Sequence, residues 1–238
     1  MSMRGKVVRV ASISGGKDSV AMCLRLCEKR YPIDEFVFCD TGMEFPECYD
    51  ALDRFERLTG RKVTRLKSPN SFEYLLAEKQ VKVRNGGLRR DGSLRRTVGY
   101  GWPSMLRRWC TRALKIQVLN RHYRELGGNV KEFIGIAYDE PKRVHDKIYP
   151  LVRWRMREAD CLAYCKARGF YPSPSAYDRV GRVSCYCCPM LNRQQIRYLI
   201  GERPELWENI RRLERLCGEP WKQKGTAYFE RMFSLGLI

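Results

Sequence analysis

The sequence predicts an α/β fold, in which a parallel sheet flanked by helices is followed by a mostly helical region that contains cysteines. Two observations support this prediction. Short apolar, β-branched runs alternate with amphipathic helical patterns in the first part of the chain, as is typical of parallel strands joined by helical crossovers. From about Met156 onward, helical periodicity prevails between proline-rich turns. We therefore expect an α/β domain over residues 1–155 and a helical region over residues 156–238.

The elements of the α/β domain are predicted in order along the chain. Strands and helices alternate over five segments, Val7–Ile13, Ser19–Lys29, Glu35–Cys39, Pro46–Thr59 and Lys62–Leu66. A long helix over about Ser104–Leu126 then leads to a strand at Glu132–Ala137. Ligands of such sheets bind beyond the carboxyl ends of the strands, where the strand order reverses. Asp40 and Tyr138–Glu140 follow two of these strands, so we expect them beside the loop after the first strand.

That loop reads Ser-Gly-Gly-Lys-Asp-Ser over residues 14–19. Glycines let backbone N–H groups approach an anion, and a helix N-terminus favours negative charge. The string is not a Walker A motif, which needs four residues between its first glycine and the Gly-Lys-Ser/Thr; an ordinary glycine turn capped by Ser19 is the alternative. It is similar to the PP-loop of ATP pyrophosphatases. The resemblance implies that the loop grips the β and γ phosphates of ATP and that the products are AMP and pyrophosphate.

The charge balance points to an anionic partner. The chain has 46 Lys and Arg residues against 27 Asp and Glu residues, a net charge of +19. Nucleic acid is the leading candidate, and a basic but solvated surface is the alternative. Part of the surplus lies in a glycine-containing basic insertion over about residues 79–103, with Lys79, Lys82, Arg84, Arg89, Arg90, Arg95 and Arg96. Such a segment suits contacts with a phosphate backbone, although a solvated insertion explains it equally well.

The chain has eleven cysteines, and three of them fall within the four residues Cys185–Cys188. The C-x-x-C spacing lets Cys185 and Cys188 reach one metal, and Cys187 lies between them. Cys110, at the start of the basic helix, is the candidate fourth ligand. Together the four predict a 4Fe-4S cluster, with tetrahedral zinc or buried unligated thiols as the alternatives. The helical spacing of four other cysteines predicts core packing instead, at Cys23, Cys27, Cys161 and Cys165.

The N-terminal residues run directly into the first strand, so no secretory leader is expected. Free cysteines in this number then favour the reducing cytoplasm over a disulfide scaffold. No apolar segment approaches the ~18 residues of a membrane span, and we expect no membrane association.

Several motifs, in order and spacing, resemble the phosphoadenosine phosphosulfate reductase family over roughly residues 5–192. They are the loop at 14–19, Phe38–Glu44, Cys110–Arg112 with Lys115, Gly135–Glu140 with Arg143, and Tyr149–Leu151 with Trp154. The resemblance implies an adenine-nucleotide α-hydrolase-like sheet with adenosine near Asp40 and the strand ends.

The chain departs from the reductases of that family in one respect. Their nucleophile lies in a Glu-Cys-Gly motif near the C-terminus, whereas the segment Gly225–Glu230 has no cysteine. One cysteine plus a later C-x-C-C looks more like the DndC-like and SspD-like branch of DNA phosphorothioation. That likeness implies adenylation of a DNA backbone phosphate for sulfur insertion, with a cysteine desulfurase as sulfur donor. A sulfonucleotide reductase using a partner's thiol, a tRNA thiolase and a non-enzymatic nucleic-acid-binding module are the alternatives, and a homodimer stays open.

The resemblance also implies residue roles. Lys17 would offset charge on the leaving pyrophosphate, Asp18 would place Mg²⁺, and Arg112 and Arg143 would clamp a substrate or α phosphate. The expected nucleotide-binding set is Ser14, Gly15, Gly16, Lys17, Asp18, Ser19, Asp40 and Gly135.

Overall fold

In the computed structural model, which describes residues 6–82 and 97–238, the predicted α/β fold is confirmed. Four parallel strands form one sheet in the order β3-β2-β1-β4. Their bounds are Val7–Ser12 (β1), Glu35–Asp40 (β2), Val63–Lys67 (β3) and Asn129–Ile134 (β4). The chain adds β2 and β3 on one side of β1 and then crosses to add β4 on the other. The strand order therefore reverses between β1 and β4, and the carboxyl ends of these two strands form the switch point.

The helices described in the structure include those that the sequence predicts around the sheet and along the C-terminal region. Their bounds are Lys17–Glu28 (α1), Pro46–Thr59 (α2), Phe72–Ala77 (α3), Trp109–Thr111 (α4), Gln117–Leu126 (α5), Pro150–Arg153 (α6), Glu158–Lys166 (α7), Ala176–Val180 (α8), Arg193–Glu202 (α9), Pro204–Cys217 (α10) and Thr226–Ser234 (α11). No helix among the described residues is both long and apolar enough to cross a membrane.

Helices cover both faces of the sheet because alternate side chains of each strand point to opposite faces. Val37 packs with Val8 and Val10 on the face covered by α5, which contributes Leu119, Tyr123 and Leu126. Its neighbours Phe36 and Phe38 point the other way. There the ring of Phe36 lies 5.0 Å from that of Phe55 in α2, centroid to centroid. The sheet is thus buried from both sides, which explains why its strands read as apolar runs.

Two predicted elements have wrong bounds, the helix at its start and the strand at both ends. The helix predicted from Ser104 begins at Trp109, and it is interrupted by a π-helical turn over Arg112–Ile116 before α5. The Ser104 N–H donates to the Arg107 carbonyl (3.3 Å), a forward bond that a helix does not contain, so the chain makes a separate turn before Trp109. The last predicted strand begins at Asn129 and ends at Ile134, not at Ala137. Past that point, Ile136 N–H donates to the Ile134 carbonyl (3.1 Å), which closes a tight turn.

The described chain packs as two compact units that interleave along the sequence. The first contains the sheet and comprises the described residues up to Asp40 with Glu44–Lys67 and Gln117–Ser184. The second comprises Thr41–Met43, the described part of Ser68–Ile116, and Cys185–Ile238. These packing units do not test the domain boundary expected after residue 155, which stays a prediction.

Candidate functional site

The loop after β1 is closed by its own two serines. Ser14 N–H donates to Ser19 Oγ (2.9 Å), and Ser19 Oγ in turn donates to the Gly16 carbonyl (2.9 Å). Because a hydroxyl has one proton, Ser14 Oγ is the donor in its 3.0 Å contact with Ser19 Oγ. The loop therefore holds its shape through side chains of its own sequence, directly before the N-terminus of α1.

Two glycines of the switch point have no room for a side chain. Gly15 has a φ of +75°, and a Cβ there would lie 2.3 Å from the Cys48 carbonyl oxygen. A Cβ at Gly135 would lie 2.7 Å from Ser19 Cα. The residue that follows β4 thus packs directly against the first turn of α1, a close approach that only glycine permits.

Lys17 is a buried cation at the start of α1, with 6% of its surface exposed. Its Nζ donates to Asp18 Oδ2 (3.0 Å) and to Glu158 Oε2 (2.6 Å). Burial by itself lowers the pKa of Lys17, but the bond to Glu158 and the charge of Asp18 outweigh burial and leave the pKa raised. Lys17 is therefore a fixed positive charge. At Asp18 burial prevails over the attraction of Lys17 and raises the pKa of the carboxyl.

These residues line an open cleft at the switch point, with an empty space of about 570 Å³ including the part open to solvent. The lining residues are Ser14, Gly16, Lys17, Asp18, Ser19, Gly135, Glu140, Arg143, Glu158, Tyr177, Arg182, Val183 and Ser184. Three cations and the N-terminus of α1 suit bound phosphate groups. The carboxylates suit Mg²⁺, which binds proteins through one or two carboxylates and substrate phosphates.

Most of the predicted nucleotide-binding residues come together here. Gly15 shapes the loop, and those that line the cleft are Ser14, Gly16, Lys17, Asp18, Ser19 and Gly135; Arg143, one of the two predicted phosphate clamps, lines it as well. Arg143 donates to both oxygens of Glu140 (2.7 Å each). Asp40, at the end of β2, accepts the Tyr49 hydroxyl (2.8 Å) and pairs with Lys67 (3.1 Å). Arg112 is exposed and belongs to the second unit, so its role as a phosphate clamp stays a prediction.

The sequence analysis missed three residues that hold the loop from distant parts of the chain. Glu158 binds the ammonium group of Lys17, the Tyr177 hydroxyl accepts the Lys17 N–H (2.8 Å), and the Tyr171 hydroxyl donates to the Gly15 carbonyl (2.7 Å). Tyr171 begins one of the proline-rich turns, and this was its only sequence signal. The partners lie 141 to 160 residues from the loop, and no local pattern indicates such pairings.

The four cysteines predicted as metal ligands all lie in the second unit. Cys185 and Cys187 have their Sγ atoms 3.5 Å apart, close to the ~3.7 Å edge of a tetrahedron with metal–sulfur bonds of about 2.3 Å. Burial raises the pKa of Cys187 well above its ordinary value, and the neighbouring thiols Cys185, Cys188 and Cys110 add to the shift. Burial likewise raises the pKa of Cys110 and Cys188.

The cysteine set has the chemistry of a soft-metal site because a bound cation would relieve the repulsion among its thiolates. It is not assembled as one: in the described part of the chain no group of three or more His, Cys, Asp or Glu side chains is arranged to hold a metal ion. The iron–sulfur cluster and its zinc alternative therefore stay predictions.

A turn at Trp221 and Lys222 holds the backbone around these cysteines. Trp221, fully buried, donates its indole N–H to the Cys187 carbonyl (3.0 Å). Lys222 Nζ donates to the carbonyls of Pro189 (2.6 Å) and Leu191 (2.8 Å). Three carbonyls in and just after the C-x-C-C segment are thus fixed by two neighbouring side chains.

The remaining sequence predictions have mixed outcomes. Cys23, Cys161 and Cys165 are fully buried, as predicted for packing residues, and Cys27 is half-buried. The arginines predicted to contact nucleic acid in the basic insertion lie outside the described residues; they are Arg84, Arg89, Arg90, Arg95 and Arg96.

Comparison with known proteins defines the class. The model of the phosphoadenosine phosphosulfate reductase domain matches residues 9–189, so the chain belongs to that family. It is 30% identical over 250 residues to the uncharacterized protein MJ0066 of Methanocaldococcus jannaschii, covering 92% of this chain and 45% of that protein. The uncharacterized protein MJ0973 of the same organism is 25% identical over 205 residues, covering 78% and 43%. The chain thus spans less than half the length of these curated relatives.

Two solved structures are similar in fold. One is phosphoadenylyl-sulfate reductase from Candida auris in a phosphate complex, with a TM-score of 0.41, 18% identity, and coverage of 72% of this chain and 75% of that one. The other is the U34-tRNA thiolase NcsA from Methanococcus maripaludis with its 4Fe-4S cluster, with a TM-score of 0.41, 15% identity, and coverage of 94% and 80%. Membership of the family rests on the family match and not on these two structures.

Proposed function

We propose that the cleft binds ATP and that the chain cleaves it between the α and β phosphates, leaving pyrophosphate and an adenylated acceptor. The observation that carries this proposal is the junction of Gly135 with the first turn of α1, beside the serine-closed loop and the buried Lys17. It places the N-terminus of α1 and a fixed cation at the switch point of the sheet, where such sheets bind nucleotides.

Five charged residues of the cleft have a part in this reaction. An acceptor oxygen attacks the α phosphorus while the bond from that phosphorus to the bridging oxygen breaks, and negative charge builds on pyrophosphate. Lys17 and the N-terminus of α1 stabilise that charge. Asp18, Glu140 and Glu158 would repel the triphosphate on their own, so a Mg²⁺ ion between carboxylate and phosphate accounts for their presence. Arg143 is the proposed ligand of the α phosphate.

The test is pyrophosphate release from ATP with Mg²⁺. Lys17→Ala or Ser14→Ala should lower the rate by ~10²–10³, the usual loss for a contact made in the transition state. Lys29→Ala, at the exposed far end of α1, is the matched control and should release pyrophosphate like the wild type. Equal rates in the Lys17 variant and the control would refute the assignment of this cleft.

The proposed acceptor is a DNA backbone phosphate that receives sulfur after adenylation. The net charge of +19 supports a nucleic-acid acceptor, and the thiol set supports sulfur chemistry. The outer sulfur of a persulfide, loaded by a cysteine desulfurase, would displace AMP from the adenylated phosphate, and a second thiol would then release the phosphorothioate by forming a disulfide with the inner sulfur. Cys110, Cys185, Cys187 and Cys188 are the residues that would hold an iron–sulfur cluster or zinc, which would either carry the sulfur or stabilise the fold.

Reduction of a sulfonucleotide is the second candidate, because the matching family is named for that reaction. It would need a thiol from a partner or from another chain segment. Mass spectrometry of nuclease-digested DNA and RNA, from cells with and without the gene, separates the candidates. Gene-dependent sulfur in DNA linkages supports the proposal, sulfur in tRNA bases moves the acceptor to RNA, and unchanged nucleic acids favour the reductase.

A further inference from the structure

A turn in the second unit presents two large apolar side chains to solvent. Met105 is 72% exposed and Leu106 is 98% exposed. They lie at the end of a turn in which Ser104 N–H donates to the Arg107 carbonyl (3.3 Å) and Arg107 N–H donates to the Ser104 carbonyl (3.1 Å). These reciprocal bonds close the turn, with both exposed residues between its two ends. We call Met105 and Leu106 the apolar tip.

Two tryptophans anchor the segment that carries the apolar tip. Trp102 is buried and donates its indole N–H to the Glu219 carbonyl (3.0 Å). Trp109 donates to the Gly101 carbonyl (2.9 Å), and its ring lies 5.1 Å from that of Phe72. With both sides of the turn fixed, the exposed tip is a built feature of the fold and not a frayed end.

The surroundings of the tip are exclusively basic in sequence. Residues 97–116 contain four cations and no acidic residue; the cations are Arg107, Arg108, Arg112 and Lys115. Every residue from Ser104 to Arg108 is exposed. An apolar pair next to arginines matches how proteins enter a duplex, where Leu or Met wedges between base steps while arginines bind the adjoining phosphates.

We propose that the apolar tip inserts between stacked bases of a nucleic acid and that Arg107 and Arg108 hold the phosphates on either side. The inference rests on the proposed nucleic-acid acceptor and adds how the acceptor is engaged. Insertion would kink the duplex and lift one stretch of backbone out of its regular helix. Cys110 is the predicted metal ligand nearest to the tip in sequence, and it follows Trp109. The absence of acidic residues from 97–116 favours nucleic acid over a protein surface of mixed charge.

The test compares a tip variant, Met105→Ala with Leu106→Ala, with a control, Leu235→Ala with Leu237→Ala. The control removes side chains that are 60% and 56% exposed elsewhere in the same unit. Binding is measured by fluorescence anisotropy on a short DNA duplex over a range of salt concentrations. Unstacking is followed through aminopurine, a fluorescent adenine analogue that brightens when it leaves the stack. Because the tip is exposed, its removal should leave thermal stability unchanged.

We expect the tip variant to bind at least about 10-fold more weakly, the loss expected when a large apolar side chain is no longer buried. The salt slope should stay that of the wild type because no charge is changed, and the aminopurine signal should disappear. The control should retain both binding and signal. Wild-type binding and signal in the tip variant would overturn this inference alone. A wild-type chain that binds neither DNA nor RNA would refute the proposed acceptor and the inference together. A tip variant that binds DNA like the wild type but no longer binds a protein partner of the wild-type chain would reassign the tip to that protein partner.

Discussion

Gly135→Ala should distort the cleft through the backbone of Asp18 and Ser19, without contacting any charged side chain. The added Cβ would lie 2.7 Å from Ser19 Cα and 2.8 Å from Ser19 N, whereas carbon atoms pack at about 3.5–4.0 Å. The end of β4 and the first turn of α1 must therefore separate by roughly 0.8 Å or more. Overpacking of this kind costs about 1–3 kcal/mol. In a chain of this size that lowers the melting temperature by about 2–4 °C per kcal/mol.

The same displacement should have a larger effect on catalysis, because a shift of about 1 Å in reacting groups lowers a rate by ~10²-fold. The assays are thermal unfolding and pyrophosphate release from ATP. Gly16→Ala is the control for folding: its Cβ would come no closer than 3.5 Å to any neighbour, so it should lose no more than about 1 kcal/mol as a helix N-cap. A Gly135→Ala chain with wild-type melting temperature and rate would show that the strand and helix do not meet as described.

Three further predictions concern the cysteines. Protein made without oxygen should contain iron. A Cys→Ser change at Cys110, Cys185, Cys187 or Cys188 should lower the iron content, whereas Cys23→Ser should leave the iron content unchanged. One zinc ion per chain without iron would instead indicate a structural site. Lys222→Met should weaken Co²⁺ binding to the metal-free chain by ~10-fold or more, the usual loss when an outer-shell contact is removed. Lys222→Arg should restore part of the lost affinity. Lys224→Met, which changes an exposed neighbour bonded to Tyr228, should bind Co²⁺ like the wild type. Burial raises the pKa of Cys165 to about 12, so its contribution to stability is complete below the unfolded pKa of about 9 and is lost as pH rises towards 12. Near pH 10 the loss is on the order of 1 kcal/mol, and Cys165→Ala should show a shallower decline in urea midpoint as pH rises.

The parts of the site that follow from the sequence are those with a local signal. The loop at residues 14–19 could be located because its glycines, lysine and serines are contiguous and follow an apolar strand. Glu140, which lines the cleft, could be placed at the same edge because carboxyl ends of parallel strands meet there. The switch point itself depends on the strand order, and the structure supplies it.

The parts that escaped prediction are set by contacts between distant segments. Glu158 begins α7 and carries no pattern that distinguishes it from a surface carboxylate, yet it binds Lys17. The start of the helix after Ser104 was misjudged for a different reason. The composition of this segment is helical, but the Ser104 N–H donates forward to the Arg107 carbonyl, and the chain makes a separate turn there. That turn carries the apolar tip.

The central claim is that ATP bound at the loop after β1 is cut between its α and β phosphates. The most direct measurement follows ATP labelled at the α phosphorus, incubated with the chain, Mg²⁺ and DNA, and separates the labelled products. Our account predicts label in AMP and in an adenylated acceptor, with one pyrophosphate released for each, and loss of both products in Lys17→Ala. Label found in ADP, with orthophosphate as the other product, would contradict it.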